Sequence, residues 1–460
     1  MIRVGKQIFK AFDKPFKPLK KLKFMVELLV PVGNFETLQA AVKAGADAVY
    51  FGIKGINMRT GSARNFSKEE LKEVMDILHK NKVKGYLTLN TIIYDHELER
   101  VQDILNEVKK TKVDAVIATD MAIVQLCNEN NIEVHMSTQL STSNYKAVKF
   151  FSKFSPRIVL ARECTLEQIK SIKDKIEKDN LNYNGRKIEL ETFIHGALCV
   201  SYSGRCFMSQ FQNRLSANRG QCLQECRRQY KLTDLENPQK ELVLDGNYIL
   251  SPKDLCTLPI LDKLVEAKID VFKIEGRAKA ADYIYTVTKA YREALNLIEK
   301  NKFTNKEKLR LLEELEKVFN RGFTTNFFLG TPTNDSWTKF YGSISKEKKK
   351  QIGKVTEYYP KLKVVAIKIE QEELNENDEI CFIGKSVGFY KTKVKDMRLE
   401  DKEIKKAKKG DEVSFEVEEK LKPGDEVYLI KKVNLTKDEE KLYKKFEEIT
   451  IHKPFKQTKN

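Results

Sequence analysis

The stretch VELLVPVGNFETLQAAVKAGADAVYFGI, residues 26–53, contains one complete strand–helix–strand pattern. Two short apolar runs, 26–33 and 46–53, flank a segment whose apolar residues recur at helical spacing. Strands that are apolar along their whole length are typical of parallel sheets, because helices cover both faces of such sheets. The stretch therefore predicts a βαβ unit.

The same pattern recurs further along the chain, and helical segments such as SKEELKEVMDILHKNK separate most of the strands. Six more apolar runs follow, at 83–93, 113–120, 132–139, 157–163, 188–196 and 269–277. Eight such strands within about 250 residues match a (β/α)8 barrel. The sequence thus predicts an α/β fold with a TIM-like barrel over 25–335. A doubly wound open sheet is the alternative, because a strand count alone does not separate the two.

The segments on either side of this region differ in character. Residues 340–432 alternate polar and apolar side chains, with turn signals at NEND, KKGD and KPGD, and predict a small antiparallel β-barrel domain. Residues 433–460 are predicted to form a helix and a solvated tail. Residues 1–24 form a basic extension without the apolar core of a secretory signal. This extension is interpreted as an RNA-binding arm or as a start assigned too early, with Met25 as the true start.

The 460-residue chain is strongly basic. Lysine and arginine number 84 against 66 aspartates and glutamates, which gives a formal net charge of +18. Such a balance favours a polyanionic partner such as RNA, although excess charge can also serve solubility alone. No apolar run reaches the length of about 18 residues that a membrane-spanning helix needs. We therefore expect a cytoplasmic protein that does not act in a membrane.

Four of the eight cysteines gather in HGALCVSYSGRCFMSQFQNRLSANRGQCLQECRRQY, residues 195–230. They are Cys199, Cys206, Cys222 and Cys226, spaced C-x6-C and C-x3-C with fifteen residues between the pairs. In a reducing compartment, clustered thiols bind metal more often than they form disulfides. Zinc, an Fe–S cluster and unligated thiols all remain open from this spacing. An Fe–S cluster is favoured, because the segment follows strand seven, at the end of a barrel where active sites lie.

Polar residues also stand where the predicted strands end. They are Asn90, Asp120, Gln139, Arg162, Glu163, His195, Glu275 and Arg277. Because the carboxyl ends of barrel strands form the active-site face, these side chains are candidates for a shared site. Each could instead cap a helix or satisfy a loop, and His195 could equally be a buried core residue.

Several motifs resemble the collagenase-like peptidase family, number thirty-two among peptidases of unassigned mechanism. They are ELLVPVGNFETLQAAVKAGADAVYFG, HGALCVSYSGRCFMSQ, SANRGQC, ILSPKDLC, FKIEGRAKAADYIYTVTKAYREAL and FNRGFTTNFFLG. Despite its name, the family contains oxygen-independent hydroxylases. The resemblance implies a [4Fe-4S] cluster, for which the family pattern falls on the four clustered cysteines and not on Cys256. The RNA-modifying members are linked to prephenate as the hydroxyl source.

Within this family, the appended β domain and modest length resemble the branch that makes 5-hydroxyuridine in transfer RNA. The resemblance therefore implies transfer RNA as substrate, prephenate as co-substrate and a paralogous family member as a candidate partner. The alternatives are a 23S ribosomal RNA cytidine hydroxylase, a collagenase-like peptidase and a zinc-stapled RNA-binding protein without enzymatic activity. The sequence has no HExxH or GxSxG motif and only five histidines, which disfavours the peptidase.

The strand-end positions and the family resemblance together predict roles for individual residues. Catalytic roles are predicted for His195, Arg162, Glu163 and Glu275. Substrate-binding roles are predicted for Arg59, Arg64, Asn90, Gln139, Tyr202 and Arg277. Arginine forks suit the carboxylates of prephenate, although some, Arg277 above all, could instead pair with Glu163 and Glu275. Tyr202 and Phe207 are candidates to stack a flipped base, and packing over the cluster is the alternative role for both. Lysine runs at 346–350 and 403–410 are predicted as loops that contact phosphate.

Overall fold

The computed structural model describes residues 26–230, 234–237 and 248–452. The predicted basic extension, 1–24, lies outside the described residues, as does the end of the predicted tail, 453–460. No helix among the described residues is long and apolar enough to cross a membrane.

Eight parallel strands form a closed barrel in chain order. They are β1 (Glu27–Pro31), β2 (Ala48–Phe51), β3 (Lys84–Leu89), β4 (Ala115–Ala118), β5 (Val134–Met136), β6 (Arg157–Val159), β7 (Glu189–Gly196) and β8 (Val271–Ile274). Each strand pairs with the next, and β8 pairs with β1 through Glu27 and Val271, which closes the ring. The predicted (β/α)8 barrel is therefore confirmed, and the open sheet is not what forms.

Helices surround the barrel and connect its strands. They are α1 (Phe35–Lys43), α2 (Leu71–Lys80), α3 (Leu98–Thr111), α4 (Met121–Glu129), α5 (Tyr145–Phe151) and α6 (Leu166–Lys178), followed by α7 (Met208–Asn213), α8 (Leu261–Glu266), α9 (Ala281–Glu299) and α10 (Asn305–Lys317). The main hydrophobic core lies between these helices and the strands. Capping residues set where helices begin: the Asn34 side chain accepts from the Thr37 amide at 2.9 Å, at the start of α1.

The barrel lumen is polar at its amino-terminal end. Arg157 at the start of β6 donates to Glu27 at 2.6 Å and to Glu189 at 2.8 Å. Burial opposes ionisation of Glu27, but Arg157 and Lys84 lower its pKa to about 2. This ion-pair network therefore lies at the opposite end of the barrel from the carboxyl-terminal ends of the strands.

Two short strands extend the sheet beyond β7. Asp254–Cys256 runs antiparallel to the end of β7, where Cys256 pairs with His195, and Phe323–Thr324 pairs with Asp254–Cys256. The cysteine-rich segment leaves the end of β7 and returns along this strand. Cys256 is fully buried there. Its position separates it from the four clustered cysteines.

The carboxyl-terminal part forms an antiparallel sheet around its own hydrophobic core. Its main strands are β9 (Glu347–Tyr359), β10 (Val364–Ile369), β11 (Glu379–Gly384), β12 (Gly388–Lys393), β13 (Glu412–Glu416) and β14 (Glu426–Lys432). Together with the barrel and its segment after β7, this sheet confirms the predicted fold class.

The β domain packs directly on the barrel. Gly388 has φ +68°, and a Cβ there would lie 2.6 Å from the Ala40 amide of α1, so only glycine fits this contact. The rings of Tyr285 and Phe389 are 5.3 Å apart across the same interface. Helix α11 (Lys437–Glu447) then returns to the barrel, where Phe446 packs against Phe323.

Candidate functional site

A cavity of about 160 Å³ opens at the carboxyl-terminal ends of the barrel strands. The barrel strands and their loops supply its floor and one wall, and the cysteine-rich segment supplies the facing wall. Four arginines and all four clustered cysteines line it: Arg59, Arg162, Arg227, Arg277, Cys199, Cys206, Cys222 and Cys226. The fold therefore brings the two predicted sets of residues to one place.

Three of the four thiols accept a hydrogen bond from the backbone amide two residues further along. The three donor–sulfur pairs, each at 3.4 Å, are Ser201 N to Cys199 Sγ, Met208 N to Cys206 Sγ and Gln224 N to Cys222 Sγ. Amide donors stabilise negative charge on sulfur, and they tune metal–thiolate centres in the same way. The local turns of this segment are thus built to support thiolates.

Cys226 completes the set. The pKa of its thiol is raised to about 11, mainly by burial. Arg227 opposes this increase, and the charges of the three other clustered cysteines contribute to it. All four clustered cysteines line the same cavity. Among the described residues, no group of three or more Cys, His, Asp or Glu side chains is arranged to hold a single metal ion.

Hydrogen bonds fasten the cysteine-rich segment to the barrel. Arg227 donates from Nη2 to Leu198 O at 2.7 Å and from Nη1 to Ser251 Oγ at 2.9 Å, and thereby joins the start of the segment to the residues just before the strand Asp254–Cys256. Arg219 forms a two-pronged ion pair with Glu97 at 2.6 and 2.7 Å. Because Glu97 lies in the loop after β3, the outer turn of the segment is held over the barrel mouth.

Arg59 and Glu275 form an ion pair at the cavity, with Nη2 2.6 Å from Oε1. Burial opposes the charge on Glu275, but Arg59 and Arg162 keep the pKa of its carboxyl below the usual range. Arg277 donates to Thr88 at 2.7 Å and to Asn57 at 3.1 Å. Burial lowers the pKa of Arg277 to about 10, and the guanidinium still carries its charge near neutral pH.

Arg162 retains unused hydrogen-bonding capacity. Its Nη1 donates to Ala197 O at 3.1 Å, its guanidinium lies 4.0 Å from the Phe193 ring, and its buried Nε has no partner among the described residues. Burial lowers the pKa of Arg162, and the charge of Arg59 adds to that effect. The lining contains four arginines and Lys273 against Glu225 and Glu275, and this excess of positive charge favours an anionic occupant.

Two predicted amides also line the cavity. Asn90 accepts from the Met58 amide at 3.2 Å, and Gln139 accepts from Thr119 at 3.0 Å. Asp120, by contrast, caps α4 by accepting from the Ala122 amide at 3.0 Å. Asp120 therefore has the helix-capping role that the sequence analysis gave as the alternative for polar residues at strand ends.

Four predicted site residues lie outside the cavity lining: His195, Glu163, Arg64 and Tyr202. Glu163 follows Arg162 and is half-buried, whereas Arg64 and Tyr202 are exposed. Arg64 instead lines a neighbouring groove between the barrel and the β domain, which also reaches Arg277. None of the four is placed to touch an occupant of the cavity in this conformation.

His195 is buried among aromatic rings on the outer side of β7. Its Nδ1 lies 3.3 Å from the Tyr291 hydroxyl, and the rings of Tyr283 and Phe323 lie about 6 Å away. Burial lowers the pKa of His195 to about 3, and so the imidazole is neutral at physiological pH. The geometry therefore gives His195 a packing role and not the predicted role of proton donor.

Sequence reasoning missed Lys273, which lines the cavity from β8. Its Nζ donates to Glu191 at 2.7 Å and lies 4.4 Å from the centre of the Tyr50 ring. Burial lowers the pKa of Lys273, although Glu191 opposes the effect. A signal was present, because Lys273, Glu275 and Arg277 alternate within one otherwise apolar run and so share the lumen face.

The lysine run at 346–350 does not form the predicted loop. Most of it belongs to β9, because its residues pair with β14. Three of its lysines are also ion-paired, Lys346 with Glu316, Lys349 with Asp282 and Lys350 with Glu372. Pairing of this kind reduces the charge that the run can offer to phosphate.

Comparison with known proteins shows where this fold and site belong. The family model for peptidase family U32 matches residues 33–338, which include the barrel and the whole cysteine-rich segment. The chain belongs to peptidase family U32. The membership suggested by the sequence motifs is thereby confirmed.

Relatives in this family carry different names. A collagenase of Porphyromonas gingivalis is 41% identical over 403 residues, covering 87% of this chain and 97% of the relative. The tRNA hydroxylation protein P1 of Bacillus subtilis is 35% identical and covers 78% of this chain and 84% of its own. The 23S rRNA 5-hydroxycytidine C2501 synthase of Escherichia coli is 36% identical and covers 67% of this chain and 46% of its own.

A solved structure of a U32 peptidase aligns with 58% of this chain and 98% of its own, at 13% identity and a TM-score of 0.37.

Proposed function

We propose that this chain is an oxygen-independent RNA hydroxylase of the cytoplasm, which forms 5-hydroxyuridine in transfer RNA with prephenate as the hydroxyl source. The observation that carries the proposal is one cavity lined by both the four clustered cysteines and four arginines. Family members named for transfer RNA and ribosomal RNA hydroxylation support it. A paralogous family member remains a candidate partner.

The four cysteines are proposed to hold a [4Fe-4S] cluster. The amide donors to three of the sulfurs fit thiolate ligands, and the nearby guanidiniums fit the negative charge of such a cluster. A tetrahedral zinc site, with Zn–S bonds of about 2.3 Å, is the alternative for the same four thiols, and metal analysis of the purified protein separates the two. When bound, the cluster would supply electron-transfer or Lewis-acid chemistry at the cavity.

The arginines are proposed to bind the carboxylates of prephenate. Arg162 offers its unpartnered Nε and stands against Phe193, which restricts the orientation of the guanidinium. Arg277 is held by Thr88 and Asn57 and presents a fixed charge. Two preoriented guanidiniums bind two carboxylates with less loss of side-chain freedom than mobile lysines would.

Glu275 is proposed to orient the substrate as a hydrogen-bond acceptor at the cavity. Arg59 holds the pKa of this carboxyl below its usual range, so the carboxyl is ionised at neutral pH. Asn90 and Gln139 present amides at the cavity that can hydrogen-bond the edge of a pyrimidine. Lys273 is proposed to bring a positive charge to the floor, where its ion pair with Glu191 opposes the lowering of its pKa by burial.

Peptidase activity is the second candidate, because a relative at 41% identity is named a collagenase. A cysteine peptidase needs a thiol beside a base that activates it. No histidine stands among the cavity-lining residues in the described part of the chain, and burial raises the pKa of Cys226 instead of lowering it. A gelatin-cleavage assay with the purified protein tests this candidate, and we expect no thiol-dependent cleavage.

The proposed function is tested by nucleoside mass spectrometry of transfer RNA from cells that lack the gene. We expect 5-hydroxyuridine and its derivatives to disappear and to return when the wild-type gene is restored. A gene carrying Glu275→Gln should restore little modification. If 5-hydroxyuridine persists in transfer RNA without the gene and without any paralogue, the assignment to transfer RNA is overturned.

A further inference from the structure

An exposed pair of stacked phenylalanines stands on the cysteine-rich segment. The rings of Phe207 and Phe211 lie 5.8 Å apart with an angle of 24° between their planes. Phe207 is 56% exposed and Phe211 is 82% exposed. Adjacent large apolar side chains that remain this exposed often mark a binding surface, because their contact with water contributes nothing to the stability of the fold.

The pair belongs to the rim of the cavity. Phe207 directly follows Cys206, and Met208 and Ser209 of α7 also line the cavity. A chain that enters the cavity along this wall would therefore pass close to these rings.

Hydrogen bonds hold the two rings in place. The Phe211 amide donates to Phe207 O at 3.0 Å. Ser209 Oγ accepts from the Leu223 amide at 3.0 Å, and Asn213 donates to the buried Glu225 at 2.7 Å. The two rings are thus held in place before binding, and so a partner that stacks on them causes little further loss of conformational entropy.

The charge around the pair suits a polyanion. Residues 195–230 contain five arginines and one glutamate, with no lysine and no aspartate. Arg205 and Arg214 are exposed on either side of the two phenylalanines in sequence. Two rings are too small an apolar patch for a stable protein interface, whereas aromatic rings beside arginines are typical of surfaces that bind single-stranded nucleic acid.

We propose that Phe207 and Phe211 stack the base of a nucleotide next to the one that enters the cavity. The RNA substrate is then single-stranded over at least these two nucleotides, as in a loop. This inference rests on the proposed function, since it takes RNA as the substrate, but it assigns a contact outside the reacting centre. It also places the RNA strand along the cysteine-rich wall of the cavity mouth.

The test measures binding of a short fluorescein-labelled single-stranded RNA to the anaerobically purified protein by fluorescence anisotropy. We expect the Phe207→Ala/Phe211→Ala variant to bind about 10-fold more weakly, since a base–aromatic stack contributes on that scale. Phe211→Tyr should bind like the wild type, because it keeps an aromatic ring. The matched control is Phe150→Ala on the outer helix α5, where Phe150 is 52% exposed; it should have no effect.

A second probe separates stacking from phosphate contact. The same RNA with abasic sites keeps its phosphates, and so the wild type should bind it as weakly as the double variant binds the intact RNA. The inference is overturned if Phe207→Ala/Phe211→Ala, with unchanged iron content and melting temperature, binds the intact RNA as the wild type does. It is also overturned if the variant loses affinity equally for intact and abasic RNA.

These results are distinguishable from failure of the proposed function. Binding is measured without turnover, and nucleoside mass spectrometry is measured separately in cells. If binding depends on the phenylalanines but 5-hydroxyuridine persists in cells without the gene and without any paralogue, the assignment to transfer RNA is overturned and the stacking site remains. If cellular 5-hydroxyuridine is lost but RNA binding does not depend on the phenylalanines, the stacking site is overturned and the proposed function remains.

Discussion

Arg162 and His195 both stand at the ends of neighbouring strands, yet only Arg162 lines the cavity. An irregularity in the pairing of β7 with β8, between Lys273 and Ile274, brings His195 opposite Ile274, whose side chain faces the outer core. A simple alternation would have kept His195 on the same face as Phe193. A single sequence gives no signal for such a shift, and so the positions of strand-end residues could be predicted better than their orientations.

At Arg162, the substitution Arg162→Lys should weaken prephenate binding about 10-fold, because lysine replaces a planar fork with a point charge. Isothermal titration calorimetry measures the dissociation constant. Arg64→Lys, outside the cavity, is the matched control and should leave it unchanged. Equal effects of the two substitutions would contradict the assigned carboxylate site.

His195 should make the free energy of unfolding depend on pH in the acidic range. The folded-state pKa of about 3 lies below the ordinary value of 6.5, and so between these values only the unfolded chain binds the proton. The free energy of unfolding should therefore fall by about 1.4 kcal/mol for each pH unit below 6.5. Urea titrations at several pH values measure this slope. His195→Gln should remove this part of the slope, while His96→Gln, at an exposed position, should not.

Among the elements, the eight barrel strands were predictable because each is a short apolar run between amphipathic helices. The lysine run at 346–350 could not be predicted as a strand, because its residues are almost all charged and show no polar–apolar alternation. Its sequence therefore does not distinguish the start of β9 from a loop. The contacts of the cysteine-rich segment were also out of reach. Arg219 and Arg227 hold it through partners distant in sequence, Glu97 and Ser251, which local patterns cannot connect.

Two glycines in this segment provide a matched test of its docking. Gly220 and Gly204 both have φ +84°, but a Cβ at Gly220 would lie 2.2 Å from Asn57 O, whereas at Gly204 nothing lies within 4 Å. Gly204→Ala should cost only the backbone strain, about 1 kcal/mol. Gly220→Ala should in addition displace the segment from the barrel and lower the iron content. Thermal unfolding and iron analysis measure both, and equal behaviour would refute the docking contact.

At the scale of the whole molecule, the net charge of +18 is distributed over a fold whose individual lysines are often ion-paired. RNA affinity should therefore come from the summed field and the arginine-rich cavity mouth. We expect the dissociation constant for transfer RNA to rise at least about 10-fold between 50 and 200 mM salt, as counterion release requires. Filter binding across this range measures the slope, and a change below about 2-fold would contradict an electrostatic RNA partner.

The most direct measurement is iron and acid-labile sulfide analysis of the anaerobically purified full-length chain, with Cys206→Ala and Cys256→Ala beside the wild type. Wild type and Cys256→Ala should contain iron and sulfide in equal amounts with absorbance near 400 nm, because Cys256 is buried away from the cavity. Cys206→Ala should lose iron. Stoichiometric zinc in the wild type, or loss of iron on Cys256→Ala alone, would contradict a cluster held by the four cysteines at the barrel mouth.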